Sequence, residues 1–178
     1  MSVTSLRVLA AALTAMLLAS AVPVCAAPGT VDEARLYLMG GKGVRADPSK
    51  AFTLFSKAAR EGDAMAAYYL GMMYRNGMAV GRDAAEAARW LQTAVNHQVP
   101  AAMFALANLY LSGDGVERDE LAARHLIEKA ADLDYPDAVM AMAIGLRDGS
   151  MGFERNEALA ETQLRLANRA IRQRKPGM

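Results

Sequence analysis

Two histidines, twelve methionines and one cysteine are the residues of this 178-residue chain that most invite a chemical reading. A metal site would recruit the histidines, yet neither His97 nor His125 stands at ligand spacing with another histidine or a carboxylate. His97 closes a helical stretch before "QVPA", where a cation suits the helix dipole, and His125 precedes the apolar stripe residue Leu126. The methionines raise a soft-metal reading, since thioethers hold cuprous ions. Met72-Met73 and the pair Met140 and Met142 come nearest to a cluster, but at those spacings on a helix the sulfurs diverge. Core or groove filler is the ordinary role of methionine. No GxSxG, Walker, Rossmann or HExxH pattern occurs. The sequence thus offers no catalytic residue, no metal ligand and no cofactor site. A small exported enzyme or a Met-rich copper binder stays as the alternative, which titration with cuprous ion would test.

The single cysteine, Cys25, belongs to a distinct opening segment, "MSVTSLRVLAAALTAMLLASAVPVCAA". One early cation, Arg7, precedes an apolar run and then small residues, the order of a secretory signal peptide. Residues 1–26 are expected to be removed, with Ala27 as the new N-terminus and a periplasmic or secreted fate. Lipidation at Cys25 is the lesser alternative, because Val22-Pro23-Val24 fits poorly ahead of a lipidated cysteine. A chain cut after Ala26 has no thiol, so packing alone must hold it in an oxidising compartment. It also has balanced charge, nineteen basic and nineteen acidic side chains. No basic field exists to bind nucleic acid, and no membrane insertion of the mature chain is expected. The basic run Arg165, Arg169, Arg172, Arg174 and Lys175 suits a helix C-terminus and offers a secondary contact for an acidic partner.

What positions these residues is a repeat. Gly41, Gly77, Gly113 and Gly149 are each thirty-six residues apart, and Asp47, Asp83 and Asp119 keep the same period. So do Val44, Val80 and Val116, and Ala51, Ala87 and Ala123. The fourth copy slips by one residue, so that Gly152 matches Gly115, Phe153 matches Val116 and Asn156 matches Asp119. Each unit reads as two helices. Ala67, Leu70, Gly71 and Tyr74 form the inward stripe of a first helix, ended by Gly77. Asp83 caps a second helix, with Glu86 expected to complete a capping box. Ala87, Trp90, Leu91, Ala94 and Val95 give that second helix its buried stripe, and Gly71 faces Ala87 across a close helix pair. Eight helices are expected near 31–40, 48–61, 64–76, 84–97, 100–112, 120–133, 136–148 and 157–173. No strand pattern appears.

The pattern "AxYxLGxMYxxGxxVxxDxxxAxxWxxxA", running from Ala66 to Ala94, resembles the Sel-one-like repeat (SLR), a relative of the tetratricopeptide repeat with a longer turn between helices. The resemblance covers about residues 31–170, as repeats near 31–63, 64–99, 100–135 and 136–173 within a domain of residues 27–178. It implies an all-α, right-handed solenoid and an adaptor that gathers other proteins. Cysteine-rich bacterial members are associated with β-lactams through a disulfide in each repeat; this chain has no such cysteines, and the resemblance transfers no catalytic residue.

Such a repeat leaves a second stripe on each first helix free for a partner protein or peptide segment. Tyr68, Met72 and Arg75 form it in one copy, Phe104, Asn108 and Leu111 in the next, and Met140, Ile144 and Arg147 in the last. In a tetratricopeptide-like stack these stripes line a concave groove, edged here by Arg75, Asn76, Arg147 and Asp148.

Overall fold

A computed structural model describes residues 30–41 and 43–174, with side chains from Val31 to Asn168 apart from residue 42. The expected signal peptide, residues 1–26, lies outside the described residues. Eight helices follow one another: α1 Thr30–Met39, α2 Pro48–Arg60, α3 Ala64–Asn76, α4 Ala84–Asn96, α5 Pro100–Ser112, α6 Glu120–Asp132, α7 Pro136–Asp148 and α8 Glu157–Arg174. Among the described residues there is no strand, only an isolated bridge between Gly41 and Val44.

The main packing contacts run between consecutive helices, from α1 against α2 through to α7 against α8. That is a solenoid of four helical hairpins, each burying its apolar face on its neighbours. The core is built of small residues and a few large ones. Ala51, Ala67, Ala87, Ala107, Ala123 and Ala143 are fully buried, around Phe55, Leu70, Met73, Leu91, Leu106 and Ile127. The close approach predicted at Gly71 is real: a β-carbon there would lie 2.9 Å from Leu91 Cγ and 3.1 Å from the Ala87 carbonyl oxygen.

Each first helix in repeats 2 to 4 stops at a left-handed glycine, with φ of 67° at Gly77, 70° at Gly113 and 65° at Gly149. Second helices start on the recurring aspartates. The Asp47, Asp83 and Asp119 carboxylates accept from Lys50, Glu86 and Ala122 N–H. The other half of the predicted capping box is absent. Asp83 N–H donates at 3.0 Å to the Tyr74 carbonyl, and Glu86 pairs instead with Arg89. The same link recurs from Asp119 N–H to Tyr110 and from Asn156 N–H to Leu146, tying the start of each second helix to its own first helix. With that donor already used, Glu86 has no reason to fold back.

The inward stripes also need correction. Tyr74, Trp90 and Val95 are only half-buried, whereas Met73 is fully buried in the core. Tyr74 meets Phe52 of α2 edge-on at 5.6 Å, so its ring closes the seam between two hairpins instead of entering the core. Repeat 1 differs at its turn. There α1 ends at Met39 and Gly40 takes the left-handed position, leaving Gly41, which holds the period, to bridge Val44.

Candidate partner-binding surface

The first helices α3, α5 and α7 carry the predicted row as half-exposed side chains. Tyr68, Phe104 and Met140 are each half-buried, as are Met72, Arg75, Asn108 and Leu111. Ile144, Arg147 and Asn76 are exposed. The row is therefore neither sealed in the core nor fully solvated. Its two aromatic members each touch a ring outside the row. Tyr68 lies 5.2 Å from Tyr69, which stacks on Phe55 at 4.8 Å, and Phe104 lies 5.9 Å from Tyr135.

Tyr68 is the electrostatic centre of this face. Burial raises its phenol above the usual tyrosine value, Tyr69 and Asp137 add to that rise, and Arg75 opposes it. The phenol stays neutral at physiological pH and keeps a hydroxyl that can donate or accept.

The polar members of the row divide by what already holds them. Asn108 donates to the Phe104 carbonyl within its own helix at 3.0 Å. Arg147 gives two hydrogen bonds to Asp148, at 2.7 and 3.1 Å, and this pairing draws the Asp148 carboxyl below the usual range. Among the described residues Arg75 makes no ion pair, which leaves its guanidinium the polar group on the row best placed to answer a partner. In the C-terminal helix Arg165 pairs with Glu161 at 2.7 Å, while the side chains of Arg169, Arg172, Arg174 and Lys175 lie beyond those described.

A second concavity, of about 620 Å³, lies on other elements. It opens between α4 and α6 above Met103 and Tyr110 of α5, and none of the predicted row lines it. Its polar walls, Gln92, Asn96, His125, Lys129 and Asp132, stand on outward positions of second helices that look like ordinary solvated faces one helix at a time. Among the described residues no three His, Cys, Asp or Glu side chains converge as a metal site would require.

A family model for the Sel1 repeat matches residues 34–63, 64–98 and 100–135. The chain belongs to the Sel1 repeat family. Sel1 repeats form scaffolds for protein interaction, typically without catalysis of their own. The fourth hairpin, α7 and α8, falls outside the matched residues yet continues the same stack.

Solved structures bear out the solenoid. A Sel1 repeat protein from Oxalobacter formigenes superposes with a TM-score of 0.73 at 26% identity, over 79% of this chain and 57% of that one. A protective antigen of uropathogenic Escherichia coli strains, displaying an SLR fold, gives 0.73 at 29%, over 80% of this chain and 30% of that one. Cysteine-rich protein B of Helicobacter pylori gives 0.52 at 27%, over 61% and 86%. The chain thus spans little more than half the length of the first of these relatives and under a third of the second. Comparison with curated proteins finds no match. Among the described residues no helix is long and apolar enough to cross a membrane.

Proposed function

We propose that this Sel1 repeat protein is an exported scaffold that holds a segment of a partner protein along its first helices. The observation that carries the reading is the row Tyr68, Phe104 and Met140, left half-exposed on three successive first helices whose inward faces are already filled. A row three repeats long suits an amphipathic helix or an extended segment. Aromatic and arginine side chains are the usual interface hot spots, and Tyr68, Phe104 and the unpaired Arg75 supply both kinds. Export rests on the opening segment, whose cation, apolar run and small residues would direct the chain across the membrane.

Two experiments test the halves separately. Truncating Tyr68 and Phe104 together to alanine is expected to abolish partner capture from envelope extract while circular dichroism stays helical. A folded double mutant that still captures every partner would move the binding surface to another face. Mass spectrometry of the exported protein is expected to find Ala27 at the N-terminus; a lipidated Cys25 would overturn a soluble periplasmic fate.

A further inference from the structure

The α4–α6 cleft lies beside a position at which two successive repeats differ. Position 126 of α6 is a leucine; thirty-six residues before it, on α4, stands Trp90. The Trp90 ring packs against the core on the α4 face that corresponds to the Leu126 face of α6. Leu126 is a branched four-carbon side chain at the equivalent place, and beside it lies a cavity of about 620 Å³. Met103 and Tyr110 form the floor, and the apolar walls are Leu126 and Leu133, the latter 44% exposed. An open space of a few hundred cubic ångströms with an apolar floor is the form of a small-ligand site.

The rim supplies charge of both signs. Lys129 and Asp132 lie three residues apart on α6, hence on adjoining parts of one helix face, and both line the cleft. Among the described residues none of Lys129, Asp132 and His125, the last one turn before Lys129, forms an ion pair. A cation and an anion, both exposed and three residues apart at the rim of a partly apolar cleft, match a molecule that carries the reverse pair next to an apolar group. We infer that the cleft binds a free aromatic α-amino acid. Its ring occupies the floor over Met103 and Tyr110, in the space that the Leu126 side chain leaves open. Its carboxylate faces Lys129 with His125 behind, and its ammonium faces Asp132. This site uses none of the residues of the proposed partner-binding row, so the two stand or fall independently.

L-Phenylalanine is the probe, with calorimetric titration of the folded chain as the measurement. Saturable binding with one molecule per chain is expected, and 3-phenylpropionate and phenethylamine, each lacking one charge, should bind about three- to tenfold more weakly. Lys129→Ala and Asp132→Ala should each cost a similar factor with L-phenylalanine, while Lys129→Ala leaves phenethylamine binding unchanged. Leu126→Trp copies the residue that the preceding repeat already accommodates, and is expected to fold and to abolish binding. No heat of binding for L-phenylalanine, or equal affinity for the amino acid and its two single-charge analogues, overturns the proposal. So does a folded Leu126→Trp protein with undiminished affinity.

Discussion

Asp83 holds two helices at once. Its carboxylate caps α4 through Glu86 N–H at 2.9 Å, and its own N–H reaches back to the Tyr74 carbonyl of α3. Replacing it with alanine removes the first bond and spares the second, so Asp83→Ala should cost about 1 kcal/mol in urea unfolding. A loss of several kcal/mol would mean that the side chain also holds the turn. Tyr68 gives a prediction of a different kind. A phenol raised in the folded state contributes stability that is present below its unfolded value near 10 and is lost as pH climbs through the folded value. The melting temperature should therefore fall as pH rises past about 10, and Tyr68→Phe should flatten that fall. An unchanged slope in the variant would place the alkaline sensitivity in other groups. The caps and left-handed glycines were legible because each position states its own backbone need. The Glu86 error arose because a capping box assumes a free N–H, and a sequence does not show that a distant carbonyl has taken it.

At the scale of the element, repeat 4 replaces a buried pair by its inverse. Leu109 of α5 is buried above a turn that carries Val116; thirty-six residues after Leu109, α7 has Gly145, and the turn has Phe153. A β-carbon on Gly145 would come within 2.5 Å of the Phe153 ring, so the ring occupies the space a side chain on α7 would need. The large side chain has moved from the helix to the turn. Phe153→Ala should cost about 3–5 kcal/mol. Gly145→Leu should also destabilise, by overpacking, and adding Phe153→Val should recover most of the loss by rebuilding the arrangement of repeat 3. Strict additivity of the two changes in thermal unfolding would show that the residues do not share a site. The one-residue slip that aligns Phe153 with Val116 could be read from the sequence. The exchange could not, because it couples two positions that period-matching treats one at a time. The turns show a second coupling of this kind. Gly115 lies against the Ala84 and Ala85 backbone, and Gly152 lies 2.7 Å, measured to an added β-carbon, from the Glu120 carbonyl oxygen. Each turn thus packs on the start of the second helix one repeat earlier, and neither glycine can accept a side chain.

Across the whole molecule, coupling is local. Helices contact chiefly the helices before and after them, so stability is close to a sum of hairpin and neighbour terms. This is why the architecture could be read from the period alone, while the two surfaces could not be read equally well. The first-helix row was legible because its members recur at the repeat period on one helix face. The α4–α6 cleft was not, since its lining residues do not recur at the period, Leu126 standing where the preceding copy has Trp90. Local coupling also predicts how the molecule opens. Phe153→Ala weakens the α7–α8 hairpin, which among the described residues packs chiefly on α6, and leaves the main contacts of α3, α4 and α5 in place. Hydrogen exchange on this variant should accelerate in α7 and α8, by about two orders of magnitude or more for a loss of about 3 kcal/mol, while amides of α3 to α5 keep most of their protection. The buried faces of α3, α4 and α5 lean chiefly on α2, α6 and each other, so an open fourth hairpin leaves most of that burial in place and costs α5 the Phe104 contact with Tyr135. Uniform acceleration along all the helices would instead mark one cooperative unit, in which the fourth hairpin is indispensable to the stack rather than its terminal cap.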